Sequence, residues 1–328
     1  MMRFEVRAYT DADASSWDRF CDGCANATFL HTRRFLSYHC DRFRDASCIV
    51  SGTKGWLGLL PAAAHPEQAN CVVSHPGVSY GGLLHDGNLS GDDQLAALAA
   101  IADYYRQLGH ERLRYKVMPH IYQVAPAQDD LYGLFRLGAS RYRCDLSSCI
   151  DLAARRPAAD RRRRGLRKAE KAGLTVSEGT SNLPHFWPLL VDNLAQRHGV
   201  RPVHTLAEIT DLANRFPEQI KLNCAQSGSE IVAGVLLFCT RRVHHAQYSA
   251  ANAAGQEAAA LDLVFEHCIE AATQEVRYFD FGISTEEEGG VLNSGLYRFK
   301  TEFGGGGVVS EFYELNLTSG PNAVSGGR

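Results

Sequence analysis

Several things are scarce or missing in this sequence, and each removes a class of protein. No apolar run approaches the roughly 20 residues a membrane-spanning helix needs. The first residues, MMRFEVRAYTDADASSW, carry acids where a secretory leader needs an apolar segment, so a cytoplasmic location is expected. An HExxH helix and a Walker phosphate loop are missing. Ten scattered cysteines in 328 residues do not make a disulfide scaffold. Only Cys21-Asp-Gly-Cys24 has metal-like spacing, and Cys144 with Cys149 is a poor second pair for zinc. Ordinary thiols and no metal site are the expectation.

What is present describes a globular enzyme-sized chain. Its length exceeds one ordinary hydrophobic core, so two domains are expected. Hydrophobic residues make up 45% and charged residues 22%, as in soluble proteins. The net charge of −3 is unevenly spread: RRPAADRRRRGLRKAEK, residues 155–171, holds nine basic and two acidic residues, leaving about −10 for the remainder. A basic stripe on an acidic chain suits a phosphate-bearing ligand at Arg163, Arg164, Arg167 and Lys168, or else is a solvated helix face.

Hydrophobic spacing gives α/β alternation in two successive blocks. The first has a hairpin at 46–63, a helix at 91–109 and strands at 112–117 and 141–152. The second opens with the basic helix, ended by Gly173. Helices at 183–198 and 206–215, strands at 220–225, 231–240 and 243–249, a long helix at 257–275 and a strand at 278–281 follow. Each block places hairpin, long helix and strand in the same order, which suggests a duplicated unit without a residue-level repeat. The expected division is 1–151, 152–317 and a polar tail, 318–328.

The most informative stretch is YFDFGISTEEEGGVLNSGLYRFKTEFGGGG, residues 278–307. Asp280 and Gly282 fall at the carboxyl end of a buried strand, where α/β sheets collect ligands. On the helix that follows, Leu296, Phe299 and Phe303 share a face, with Tyr297 and Lys300 beside it. Lys300 is then either a snorkelling cation on a packed helix or a rigid charge held where an anion forms. The glycines let the backbone approach a ligand or a strand closely.

The segments RGLRKAEKAGL, NLAQRHGVRPVHTLAE, FDFGISTEEEGGVLNSGLYRFKTEFGG and HPGVSYGGLL together resemble the FemABX-type branch of the GNAT superfamily. The resemblance covers nearly the whole chain before the tail. It implies a bacterial protein of two tandem GNAT-like domains, each a mixed, mostly antiparallel sheet flanked by helices. It also implies transfer of an acyl or aminoacyl group to an amine, from acyl-CoA or aminoacyl-tRNA, with no tightly bound cofactor. The implied acceptor is a cell-envelope saccharide or a nucleotide-linked precursor, and tRNA is an implied partner. Lys300 takes the place of a lysine that supports catalysis in the family, and Arg197 that of a phosphate-contacting arginine. Two departures stand out: the helical-hairpin insertion of the peptidoglycan Fem factors is missing, and no lysine lies near 35–39. The pyrophosphate-loop glycine pattern of ordinary GNAT enzymes is also missing from NAAGQEAAALDLV.

Further candidates come from position. Asp280 could assist proton removal, as could His198, which with His204 flanks GVRPV. Tyr80 is a substrate floor or a tight strand-to-turn connection. Lys116 ends a strand and is a cleft candidate, and Tyr248 is an acyl-pocket residue or a core aromatic. An acyl-CoA-dependent N-acetyltransferase of a small amine and a non-catalytic binding module are the competing readings.

Overall fold

The computed structural model describes residues 4–318, apart from the side chains of Arg197 and His198. The polar tail expected at 318–328 lies outside the described residues save for Thr318. The chain forms two compact units. One comprises residues 1–145, 287–290 and 309–328, and the other 146–286 and 291–308. The division therefore differs from the expected 1–151 and 152–317. Two long strands, Ser140–Asp151 and Gly306–Asn316, each begin in one unit and end in the other. The end of the last strand belongs to the first unit because Phe312–Asn316 pair with Lys116–Arg112 there.

The first unit runs β1 (Glu5–Ala8), α1 (Ala14–Gly23), α2 (Arg33–Leu36), β2 (Cys48–Gly52), β3 (Gly55–Leu60), β4 (Ala63–Ala64) and β5 (Cys71–Val73). It continues through α3 (Asp92–Gln107), β6 (Arg112–Lys116), α4 (Asp129–Arg136) and the start of β7 (Ser140–Asp151). Spacing makes α3 a helix with one buried stripe, Gln94, Ala97, Leu98, Ile101 and Tyr105. Strand β6 alternates, with Leu113 and Tyr115 buried. It pairs in parallel with β5, and α3 makes the crossover.

The second unit runs α5 (Asp160–Lys171), β8 (Thr175–Glu178), α6 (Leu183–His198), α7 (Leu206–Arg215), β9 (Ile220–Ser227), β10 (Glu230–Cys239) and β11 (Val243–Ala251). Then come α8 (Ala253–Glu257), α9 (Ala260–Glu275), β12 (Tyr278–Ile283), the small hairpin β13 (Thr285–Glu286) and β14 (Val291–Leu292), α10 (Ser294–Thr301) and the start of β15 (Gly306–Asn316). Strands β8 to β11 pair antiparallel in sequence order, and β12 joins β11 in parallel and β7 antiparallel. The expected helix at 257–275 begins at Ala260, after Ala259 takes a left-handed backbone (φ 58°), and the short α8 precedes it.

Strand β10 is buried almost throughout because helices cover both of its faces. Ala233, Val235, Leu237 and Cys239 share a core with Val264, Phe265, Cys268 and Ile269 of α9. Gly234, on the other face, meets α6: a Cβ there would lie 2.6 Å from the ring of Phe186. Phe265, Phe279, Phe281, Phe299 and Phe303 continue the α9 core in edge and tilted contacts.

Among the described residues no three His, Cys, Asp or Glu side chains gather as a metal site. No described helix is long and apolar enough to cross a membrane. All ten cysteines are free thiols.

Candidate active site

The parallel pairing of β11 with β12 is short, linking Val243 to Tyr278, His244 to Phe279 and His245 to Asp280. Alternation along β11 then sends the two histidines to opposite faces. His244 is buried with its Nε2 3.4 Å from Glu275. His245 lies across from Phe238 and Asp280, away from the phenylalanine core.

Asp280 is 4% exposed and fully engaged. Its Oδ1 accepts from the Ser147 hydroxyl and from the Gly282 amide at 3.0 Å, and its Oδ2 accepts from His245 Nδ1 at 2.9 Å. A carboxylate on Nδ1 fixes the tautomer, putting the lone pair of a neutral imidazole on Nε2. Gly282 has φ +77°, and a Cβ there would sit 3.3 Å from His245 Cε1, so only glycine admits the ring this close.

Lys300 reaches the same strand from α10. Asn293 caps that helix by accepting from the Leu296 amide. The Lys300 side chain is 9% exposed, and its Nζ donates to the carbonyls of Gly282 (2.9 Å) and Ile283 (2.6 Å). Burial lowers its pKa to about 8, with the Asp280 charge opposing that shift. An ammonium has three N–H donors, so one remains beyond these two. Asp280 and Lys300, both singled out by sequence, thus meet at one strand exit.

Two of the four glycines after this helix lie against neighbouring backbone. A Cβ on Gly304 would lie 2.1 Å from the Arg156 carbonyl, and one on Gly305 2.6 Å from that of Cys149. Gly307 instead faces the side chains of Leu146 and Tyr297.

The basic helix divides in two. Arg162 is buried, donates to Asp262 (2.6 Å) and Glu302 (3.1 Å), and stacks on Phe299 at 4.6 Å. Arg164, Arg167 and Lys168 are exposed on α5. Gly165 is a contact glycine in mid-helix: a Cβ would lie 2.5 Å from Asp262 Oδ2.

The other described candidates have partners of their own. Tyr248 shares a hydrogen bond of 2.7 Å with His204 Nδ1, stands edge-on to Trp187, and has its pKa raised to about 12 by burial. Tyr80 belongs to the first unit's interior, 4% exposed, with its ring against His31 and Tyr122, which makes it the packed connection and not a floor. The glycines after it fit close contacts; a Cβ on Gly81 would strike the Ser74 carbonyl at 2.0 Å. Lys116 donates to the carbonyls of Pro76 (3.3 Å) and Val78 (2.7 Å) in the first unit. Arg197 and His198 end α6, and their side chains lie outside the described residues.

Sequence reasoning missed Ser147 and His245. The only signal for the histidine was the alternation of Val243-His-His-Ala246, which cannot say which strand lies beside it.

Residues 154–300 match the family described as "Acetyltransferase (GNAT) domain". No curated protein matches the chain. The solved structure of FemX aligns over 95% of this chain and 97% of its own, with TM-score 0.66 and 12% identity. The C-terminal DUF2156 domain of a proposed lysylphosphatidylglycerol synthetase from Agrobacterium fabrum aligns over 93% and 92%, with TM-score 0.61 and 13% identity. A tandem GNAT protein from the clavulanic acid biosynthesis pathway aligns over 97% and 99%, with TM-score 0.54 and 13% identity. At such identities the structural likeness shows the fold. Residues 154–300 thus match an acetyltransferase (GNAT) domain. The fold of the chain as a whole is like that of FemX and of the tandem GNAT protein.

Proposed function

We propose that the protein transfers an acyl or aminoacyl group to an amine at the end of the paired part of β11 and β12. The observation that carries this reading is Asp280, whose carboxylate holds the Ser147 hydroxyl, the Gly282 amide and His245 Nδ1 together. A histidine oriented by a buried carboxylate suits general-base work. The amine nitrogen attacks the carbonyl carbon of an activated thioester or ester. His245 Nε2 takes the proton from nitrogen as the C–N bond forms, and returns it to the sulfur or oxygen when the old acyl bond breaks. Lys300 holds the Gly282–Ile283 carbonyls and offers its remaining N–H and its charge to the forming oxyanion.

The Fem-type resemblance favours a cell-envelope saccharide or nucleotide-linked precursor as acceptor. Arg164, Arg167 and Lys168, exposed on α5, supply cations for a phosphate on such a molecule. Acyl-CoA thioesters and aminoacyl esters both present an activated carbonyl carbon to an amine, so either donor type fits this chemistry. The test is a donor screen with acyl-CoA and aminoacyl-tRNA against amine acceptors, read by mass spectrometry of the acylated amine. Amide formation lost in His245→Ala supports the reading; amide formation unchanged in that variant overturns the assigned base.

A further inference from the structure

A cavity of about 1010 Å³ opens in the second unit beside α6, the β9–β10 turn and the end of β11. Its walls are chemically one-sided. Of the fourteen lining residues six are Asn or Gln, two are the carboxylates Asp192 and Glu230, and none is Lys or Arg. Such a wall repels phosphate and gives little to a lipid or a flat apolar ring. Paired amide donors and acceptors match hydroxyl groups, and carboxylates match ammonium groups.

Part of this wall is held in place by the chain itself. Asn193 Nδ2 and Gln256 Nε2 both donate to the Ala251 carbonyl, at 3.1 and 3.0 Å. Their amide orientation is thereby fixed, since a carbonyl cannot accept from the oxygen end. Asn252 caps α8 through its Oδ1, and its Nδ2 lies 3.5 Å from Glu230 Oε1. The side chains are arranged before any ligand arrives.

We infer that this cavity is a binding site for a hydroxyl-rich, amine-bearing ligand, an amino-sugar oligomer. The oligomer length follows from β11. Ala251, which lines the cavity, lies six residues beyond His245, or roughly 20 Å at the rise of a strand. One sugar cannot occupy the cavity and present its amine to His245, so an acceptor that uses both must be an oligomer. The cavity then anchors a remote part of the acceptor, whose binding energy orients the reacting end. The length of this ligand and its role as acceptor rest on the proposed N-acyl transfer; the binding of a hydroxyl-rich, amine-bearing ligand in the cavity does not.

The experiment is saturation-transfer NMR on the full chain with a glucosamine tetramer, its N-acetylated form, inorganic phosphate and coenzyme A. The glucosamine tetramer should bind, the N-acetylated tetramer at least several-fold more weakly, and neither phosphate nor coenzyme A should displace it. Asp192→Asn with Glu230→Gln, both at exposed positions, should weaken the tetramer at least tenfold, while His245→Ala leaves binding unchanged. No transfer to the tetramer, displacement by coenzyme A, or unchanged binding in the double variant overturns the proposal. Tetramer binding in a protein that shows no amide formation keeps the site and removes only the acyl-transfer reading.

Discussion

The two units make the same topological step and put it to different uses. In each, a long helix carries the chain between two strands that pair in parallel, β5 to β6 across α3 and β11 to β12 across α8 and α9. In each, a lysine donates to two backbone carbonyls. Lys116, ending β6, takes those of Pro76 and Val78; Lys300 takes those of Gly282 and Ile283 beyond Asp280. Their surroundings differ in sign. Burial and the Arg143 charge push Lys116 down to about 7, with Asp145 opposing. Burial lowers Lys300 only to about 8, and its charged neighbour is the acid Asp280. The two lysines are carried differently, Lys116 on strand β6 and Lys300 on helix α10, and the partner beside each decides whether it meets a carboxylate–histidine pair.

The contrast breaks most sharply at His245. His245→Ala should lower kcat by roughly 10³-fold, within the range for losing a general base, with an unchanged thermal midpoint. Asp280→Asn should lose less, because the imidazole remains but is no longer held by a carboxylate. Single-turnover rates measure both, and a His245→Ala enzyme at full rate removes the asymmetry between the units.

Lys300→Met should cost roughly 10²-fold in kcat, the scale of one preorganised electrostatic group. Lys300→Arg should restore only part, since a planar fork does not reproduce a point charge. The ammonium is present below its pKa and lost above it, so wild-type kcat should fall as pH rises through about 8. The arginine variant, which stays charged, should lack that limb. If Lys300→Met instead loses its thermal midpoint while keeping its rate per folded molecule, the lysine is a structural tie like Lys116.

Lys116→Met should change turnover by no more than a few-fold and show itself in stability. The Lys116 pKa of about 7 in the fold lies below the usual value of 10.5, so the folded state bears the cost of a buried charge below pH 7. That cost is relieved as pH rises from about 7 towards 10.5. Chemical denaturation across this window should show wild type gaining on Lys116→Met, and parallel curves would place the ammonium in water.

The smallest effect is expected on α5. Arg164→Gln with Arg167→Gln should shift stability by no more than about 0.5 kcal/mol, as exposed substitutions do. The same pair should raise KM for a phosphate-bearing acceptor at low salt, and the difference should fade near 1 M, where screening shortens to about 3 Å. An unchanged KM at low salt makes this a solvated face.

Much of the chain was readable because local spacing and burial agreed. The buried stripe of α3, the alternation of β6 and the basic helix ended by Gly173 all stand near their expected places. Lys300 and Asp280 were legible as well, since a cation among aromatics and an acid at a strand end are unusual locally. The break at Ala259 was not, because nothing in EAAALDLV forbids a continuous helix. Nor was Arg162 distinguishable from the arginines around it; it is singled out by Asp262 and Glu302, 100 and 140 residues away.

Sequence by itself determined the α/β elements, the duplicated order and a lysine-bearing helix, because periodicity, capping and glycine stops act over a few residues. Only the tertiary structure chose between His244 and His245, brought Ser147 to Asp280, and turned Gly304 and Gly305 towards neighbouring backbone. Those outcomes depend on which strands lie side by side and in what register. Strand pairing joins residues more than a hundred positions apart, and no local pattern encodes the partner.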